Sequence, residues 1–180
     1  MAIVKVNYIR NARRGETRRV GRAVAYYSWR EDGGEHPREA PRTWHSADGR
    51  LLDYATARRE ITQGTREAAY TYRVVLSTAE VPLTPQEYAA VLNRQFGRWH
   101  FVLHHGGEHP HAHAVALSDR RLDRDALRDL REALAQREAE QRRRQALLTA
   151  LHLDEGVEAE QEPVRLTTER RRWEGLEPCW

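Results

Sequence analysis

Five of the nine histidines fall within ten residues, His104-His105-Gly106-Gly107-Glu108-His109-Pro110-His111-Ala112-His113. The flanking stretches 99–105 (WHFVLHH) and 111–118 (HAHAVALS) read as two strands, an antiparallel pair joined by a short turn through Gly106-Gly107. Successive side chains leave opposite faces of a strand, so His111 and His113 share a face. His104 reaches the same face if the hairpin register allows. His105 has the other parity, and His109 precedes Pro110 in the turn. Three neutral imidazoles converging from adjacent strands form a metal site with coordination positions left open, which is what a catalytic metal needs.

A second group of reactive side chains lies near the N-terminus. Residues 16–30 read as a helix whose apolar stripe is Val20, Val24 and Tyr27, so Tyr27 is expected in the core. Tyr26 is about 100° away, on the row Arg19, Arg22, Tyr26, Arg30. Guanidinium groups around a phenol attract a phosphodiester, lower the phenol pKa and offset negative charge in a transition state. The formal net charge is only +3, yet residues 1–30 hold Lys5, Arg10, Arg13, Arg14, Arg18, Arg19, Arg22 and Arg30 against Glu16 alone. Charge placement, more than net charge, marks this segment as anion-seeking.

The elements that must position these groups are legible in outline. Residues 2–9 (AIVKVNYI) read as a strand, and 31–50, with Gly33, Gly34, Pro37, Pro41 and Gly49, as loop or short irregular strands. Residues 51–64 read as a helix closed by Gly64. Residues 70–78 alternate as a strand, with Tyr70, Tyr72, Val74 and Leu76 on one face and Thr71, Arg73, Val75 and Ser77 on the other. Thr84-Pro85-Gln86-Glu87 is a capping box opening a helix that buries Tyr88, Val91, Leu92 and Phe96 and ends at Gly97. From Asp123 to about Leu153 the pattern is helical, with Leu127, Leu130 and Leu134 as its stripe. Residues 136–145 (QREAEQRRRQ) are polar on every side and are expected to project into solvent, held by Glu138–Arg142 and Glu140–Arg144 pairs. The fold class expected is α+β, with two regions, 1–135 and a charged helix plus tail at 136–180.

The 180 residues contain no apolar run near the ~20 needed to span a bilayer. The start lacks the charged and apolar regions of a secretory signal. Cys179 is the single cysteine, which leaves no disulfide framework and no cysteine zinc cage. A cytoplasmic protein without a membrane segment is the expectation.

Together these residues resemble the HUH relaxases, the mobilisation nucleases of conjugative plasmids and integrative elements. The family's metal motif is approximately H-x-D-x-D-H/N-P-H-x-H followed by apolar residues. His104 to Leu117 matches it at the first His, at the acidic Glu108 and through His109-Pro110-His111-Ala112-His113. Tyr26-Tyr27-Ser28-Trp29-Arg30 is similar to the family's nucleophile segment, with Tyr26 as the nucleophile and Tyr27 as the alternative. The strand at 72–77 and the capped helix after it resemble the elements that precede the metal motif. Gly106 and Ser118 depart from the pattern, where relatives carry an acid and an Asn.

The resemblance covers roughly residues 1–135. It implies a palm-like antiparallel sheet flanked by helices and site-specific transesterification on single-stranded DNA at an origin-of-transfer-like site, with a 5′-phosphotyrosine intermediate. It further implies a divalent metal on His104, His111 and His113, Mg or Mn in the family, with Zn equally suited to three imidazoles. Glu108 and His109 are the candidates for the base. Arg10, Arg13, Arg14, Arg18, Arg19, Arg22, Arg30 and the 31–50 loop are the candidate DNA contacts, and accessory mobilisation proteins are possible partners. The alternatives are an HUH replication or transposition nuclease, a DNA-binding remnant without nicking activity, and a metal-dependent hydrolase of another class.

Overall fold

A computed structural model of the protein describes residues 2–11, 15–30, 39–79, 81–104 and 109–154, the side chains of 152–154 excepted. Six strands form one antiparallel sheet: β1 (Ile3–Arg10), β2 (Trp44–Ser46), β3 (Leu51–Leu52), β4 (Tyr70–Ser77), β5 (Arg98–His104) and β6 (His111–Ser118). Their order across the sheet is β1-β4-β6-β5-β2-β3. Four helices, α1 (Glu16–Trp29), α2 (Tyr54–Glu67), α3 (Pro85–Asn93) and α4 (Arg124–Asp154), flank it. The class is α+β, as the sequence implied. Among the described residues no helix is long and apolar enough to cross a membrane.

Strand parity divides the core into two layers. Tyr72, Val74 and Leu76 of β4, Trp99 and Phe101 of β5, and Ala112, Ala114 and Ala116 of β6 face α3 and α4. The alanines of β6 keep the sheet surface low, so Tyr88, Leu92, Leu130 and Leu134 pack onto it fully buried. On the opposite face Val102 and Val115 meet Val20 and Val24 of α1 and Ala57 and Ile61 of α2. The central strands are thus covered on both sides, while β1 and β3 are the edges.

Several boundaries differ from the sequence reading. Leu51 and Leu52 pair with β2 as a strand instead of opening a helix. The helix begins one residue past Asp53, whose carboxylate accepts the Thr56 N–H at 2.7 Å. Nor does Gly64 close it; α2 continues to Glu67. Gly64 is there because the helix lies close on the sheet: a Cβ at that position would come 2.3 Å from Leu117 Cδ1. Overpacking there costs about 1–3 kcal/mol, against about 1 kcal/mol gained in helix propensity. Gly64→Ala should therefore lower stability by ~1 kcal/mol, and the same substitution in a Leu117→Ala background should raise it. Denaturant melts of the four proteins read the change of sign.

The capping box at Thr84 forms as expected, with Glu87 reaching back to the Thr84 N–H. The helix it opens ends at Asn93, so Gly97 caps nothing; Phe96 is buried beyond the helix end. Residues 136–145 are also less free than expected. Glu138 is buried and accepts the Ala79 N–H at 2.8 Å, and Arg144 reaches Glu87 at 3.7 Å. Glu138–Arg142 forms at 3.9 Å, but Glu140 pairs with Arg137 instead of Arg144. The helix crosses residue 135 without a break and is exposed from Arg142 to Leu151.

Candidate metal centre

The register of β5 and β6 sets the geometry. His104 stands directly opposite His111, and Val102 opposite His113. The three imidazoles therefore leave the same face of the two central strands, the face covered by α1 and α2. Their ring centroids lie 4.6 to 5.0 Å apart. Each ring offers one nitrogen, and the three donor atoms lie within 4.8 Å of one another, so His104, His111 and His113 can hold a metal ion.

Backbone carbonyls orient the ligands from behind, as in metal sites generally. His111 Nδ1 is 2.9 Å from the His109 carbonyl, which makes it the N–H donor and puts the ring's lone pair on Nε2. His104 Nε2 is 3.2 Å from the Tyr27 carbonyl, which puts that ring's lone pair on Nδ1. His104 is buried, whereas His111 and His113 are partly open. An all-imidazole set with positions to spare suits a first-row divalent ion, and on donor type it ranks Zn above Mn and Mn above Mg.

The end of α1 packs on this cluster. Tyr27 is 7% exposed and its ring stacks on His113, centroids 4.3 Å apart and planes within 16°. Burial pushes the Tyr27 phenol above its usual range, while the Arg73 guanidinium beside it pulls the other way. Tyr26 is 49% exposed. Its ring meets that of Tyr27 edge-on at 5.9 Å, with Arg30 4.9 Å from its centroid on the open side. The stripe reading of α1 thus assigned burial to the two tyrosines correctly, and it is Tyr27 that touches one of the three histidines.

A buried lattice of hydrogen bonds fixes the helix end. Arg42 donates to the Tyr27 carbonyl at 3.2 Å and also to the Arg30 carbonyl. Trp44 Nε1 donates to Ser28 Oγ at 2.9 Å, and that hydroxyl donates to the Val24 carbonyl. Orphan carbonyls at a helix C-terminus need such partners, and here they tie α1 to β2.

The remaining expected site residues fall in different places. His109 is exposed and its Nδ1 lies 3.0 Å from the Ala79 carbonyl, turned toward that loop. Glu108, Arg13, Arg14, His105 and residues 31–38 of the expected loop lie outside the described residues. Arg10 has the parity of Val4 and Tyr8, so it leaves the sheet on the side away from the histidines. Arg18, Arg19, Arg22 and Arg30 are exposed along α1.

Two cations near the site were not singled out from the sequence. Arg73 of β4 and Lys5 of β1 share the histidine face, with Lys5 paired to Val75 and Val75 to His113. At ~4.8 Å per strand Lys5 lies roughly 10 Å from His113. The signal was present in both cases: a charged residue at an odd position of its strand, the parity of Ile9 in β1 and of Val75 in β4.

No family model, curated protein or solved structure matches the chain.

Proposed function

We propose that the protein is a metal-dependent nuclease of the HUH relaxase type, which nicks single-stranded DNA by tyrosine transesterification and rejoins it. The observation that carries this reading is the seating of a tyrosine pair against a three-histidine cluster, with Tyr27 stacked on His113 and Tyr26 exposed beside it. A central antiparallel sheet with helices on both faces supports this reading, as does the placement of all three candidate ligands on its two middle strands.

Burial divides the tyrosines into two roles. Tyr27 walls the cluster and holds the His113 ring. Tyr26 is the nucleophile, because a phosphodiester can reach it and Arg30 lies against its ring. Its phenol gives up its proton to solvent and the oxygen attacks the scissile phosphorus: the Tyr26 O–P bond forms, the P–O3′ bond breaks, and the departing 3′ oxygen takes up a proton. A 5′-phosphotyrosyl adduct and a free 3′-hydroxyl result. Attack of a 3′-hydroxyl on the adduct reverses the step, so the phosphodiester energy is conserved. A divalent ion on His104, His111 and His113 would polarise the phosphate and stabilise its developing charge. Arg19, Arg22 and Arg30 draw the polyanion toward the end of α1.

The test is covalent capture. The protein is incubated with Mn and single-stranded oligonucleotides tiling both strands of the DNA around its own coding sequence, then denatured. A DNA-bound species that survives denaturation is expected for one oligonucleotide. Cleavage without an adduct would favour a hydrolase, and binding with neither would favour a DNA-binding module.

A further inference from the structure

The antiparallel packing of α1 on α2 leaves an open groove of about 870 Å³ on the side of these helices away from the sheet. Arg18 and Arg22 line it from α1, and Arg58, Arg59 and Arg66 from α2; no carboxylate lines it. Gly21 forms its floor, where a Cβ would meet Thr62 Cγ2 at 3.6 Å. All five guanidinium groups are exposed, and among the described residues none of them forms an ion pair. Asp53, at the start of α2, feels Arg59 only at longer range.

Several arginines elsewhere are paired; Arg10, Arg120, Arg121, Arg124, Arg131 and Arg143 form no ion pair among the described residues either, so it is the gathering of five on one groove that sets this group apart. Arg50 pairs with Asp48 and Glu60, Arg94 with Asp129, Arg98 with Glu67, and Arg128 with Asp125. Five like charges gathered without a counter-charge repel one another, a cost that a bound polyanion removes. From Arg66 to Arg58 the groove runs about 12 Å along α2, long enough for several consecutive phosphates of a DNA strand. It runs toward the end of α1, where Trp29 meets Tyr54 at 5.8 Å. Arg22, on its rim, lies one turn before Tyr26.

We propose that the α1–α2 groove is a phosphodiester-backbone site, which grips the DNA flanking the reacting phosphate and feeds it to the tyrosine end of α1. This rests on the DNA-nicking reading for the identity of the polyanion, and it extends the grip to three arginines of α2. Backbone contacts of this kind carry affinity and register but no sequence preference.

The experiment is fluorescence anisotropy on the full chain in EDTA, across a salt series, with a labelled linear single-stranded oligonucleotide and a labelled hairpin. The Arg58→Ala/Arg59→Ala/Arg66→Ala triple variant should bind at least ~10-fold more weakly at low salt. Its slope of log affinity against log salt should fall by about 2, at ~0.7 per single-strand phosphate contact. The corresponding triple Lys variant should keep most of the slope. Loss on the linear probe assigns the groove to single strand, and loss confined to the hairpin assigns it to a duplex backbone. If the Ala triple melts early, Arg66→Glu at the open end of the groove should still lower the slope. Unchanged affinity and slope on both probes would overturn the inference. Adduct formation scored in parallel separates the two readings. A wild type that forms no adduct while the triple loses slope leaves the groove standing and removes the nuclease. An adduct-forming wild type with an unaltered triple does the reverse.

Discussion

Replacing Tyr26 by Phe is expected to eliminate the covalent DNA adduct, a loss on the order of 10⁴-fold or more, as for removal of other enzyme nucleophiles. The substitution removes one oxygen from an exposed ring, so the fold and the Arg30 contact persist and the melting temperature should be unchanged. Tyr27→Phe keeps the ring that stacks on His113 and removes only the buried hydroxyl beside Arg73. It should retain the adduct and reduce its rate by less than about tenfold. Tyr27→Ala removes the wall itself and should cost both stability, by about 3 kcal/mol, and activity. The comparison is made by denaturing gel with the oligonucleotide that the wild type captures. An adduct that survives in Tyr26→Phe and disappears in Tyr27→Phe would transfer the nucleophile to Tyr27.

The second large effect concerns the ligands. His111→Ala and His113→Ala should each weaken Mn and Zn binding by more than ~100-fold, measured by calorimetry, and lower nicking about 10³-fold. His109→Ala should leave metal affinity unchanged, because His111 uses the backbone carbonyl of residue 109 and not its side chain. His104→Ala should cost stability as well as metal binding, since that ring is buried and bonded to the Tyr27 carbonyl. Wild-type metal affinity in His113→Ala would remove the metal centre from the account.

Part of the histidine cluster was legible from strand parity, which puts His111 and His113 two positions apart on one face of β6. Register, which the sequence left conditional, is what brings His104 opposite His111. The burial of Tyr27 and the exposure of Tyr26 followed from helical periodicity for the same reason. What escaped was tertiary. Gly64 reads as a helix terminator locally, yet the close approach of Leu117 explains it better. Leu51 and Leu52 have helical propensity but pair with β2. Glu138 sits in a polar run that gives no hint that Ala79 needs its carboxylate. Arg58, Arg59 and Arg66 look like an ordinary charged helix face until α1 lies beside them.

The most direct test of the central claim is the identity of the covalent bond. The captured adduct is digested with nuclease and protease, and the modified peptide is sequenced by mass spectrometry while the released strand is tested for polymerase extension. The account predicts a nucleotide joined through its 5′ phosphate to Tyr26, together with an extendable 3′-hydroxyl. A linkage to any residue other than Tyr26, or cleaved DNA with a free 5′ phosphate and no modified peptide, would contradict it.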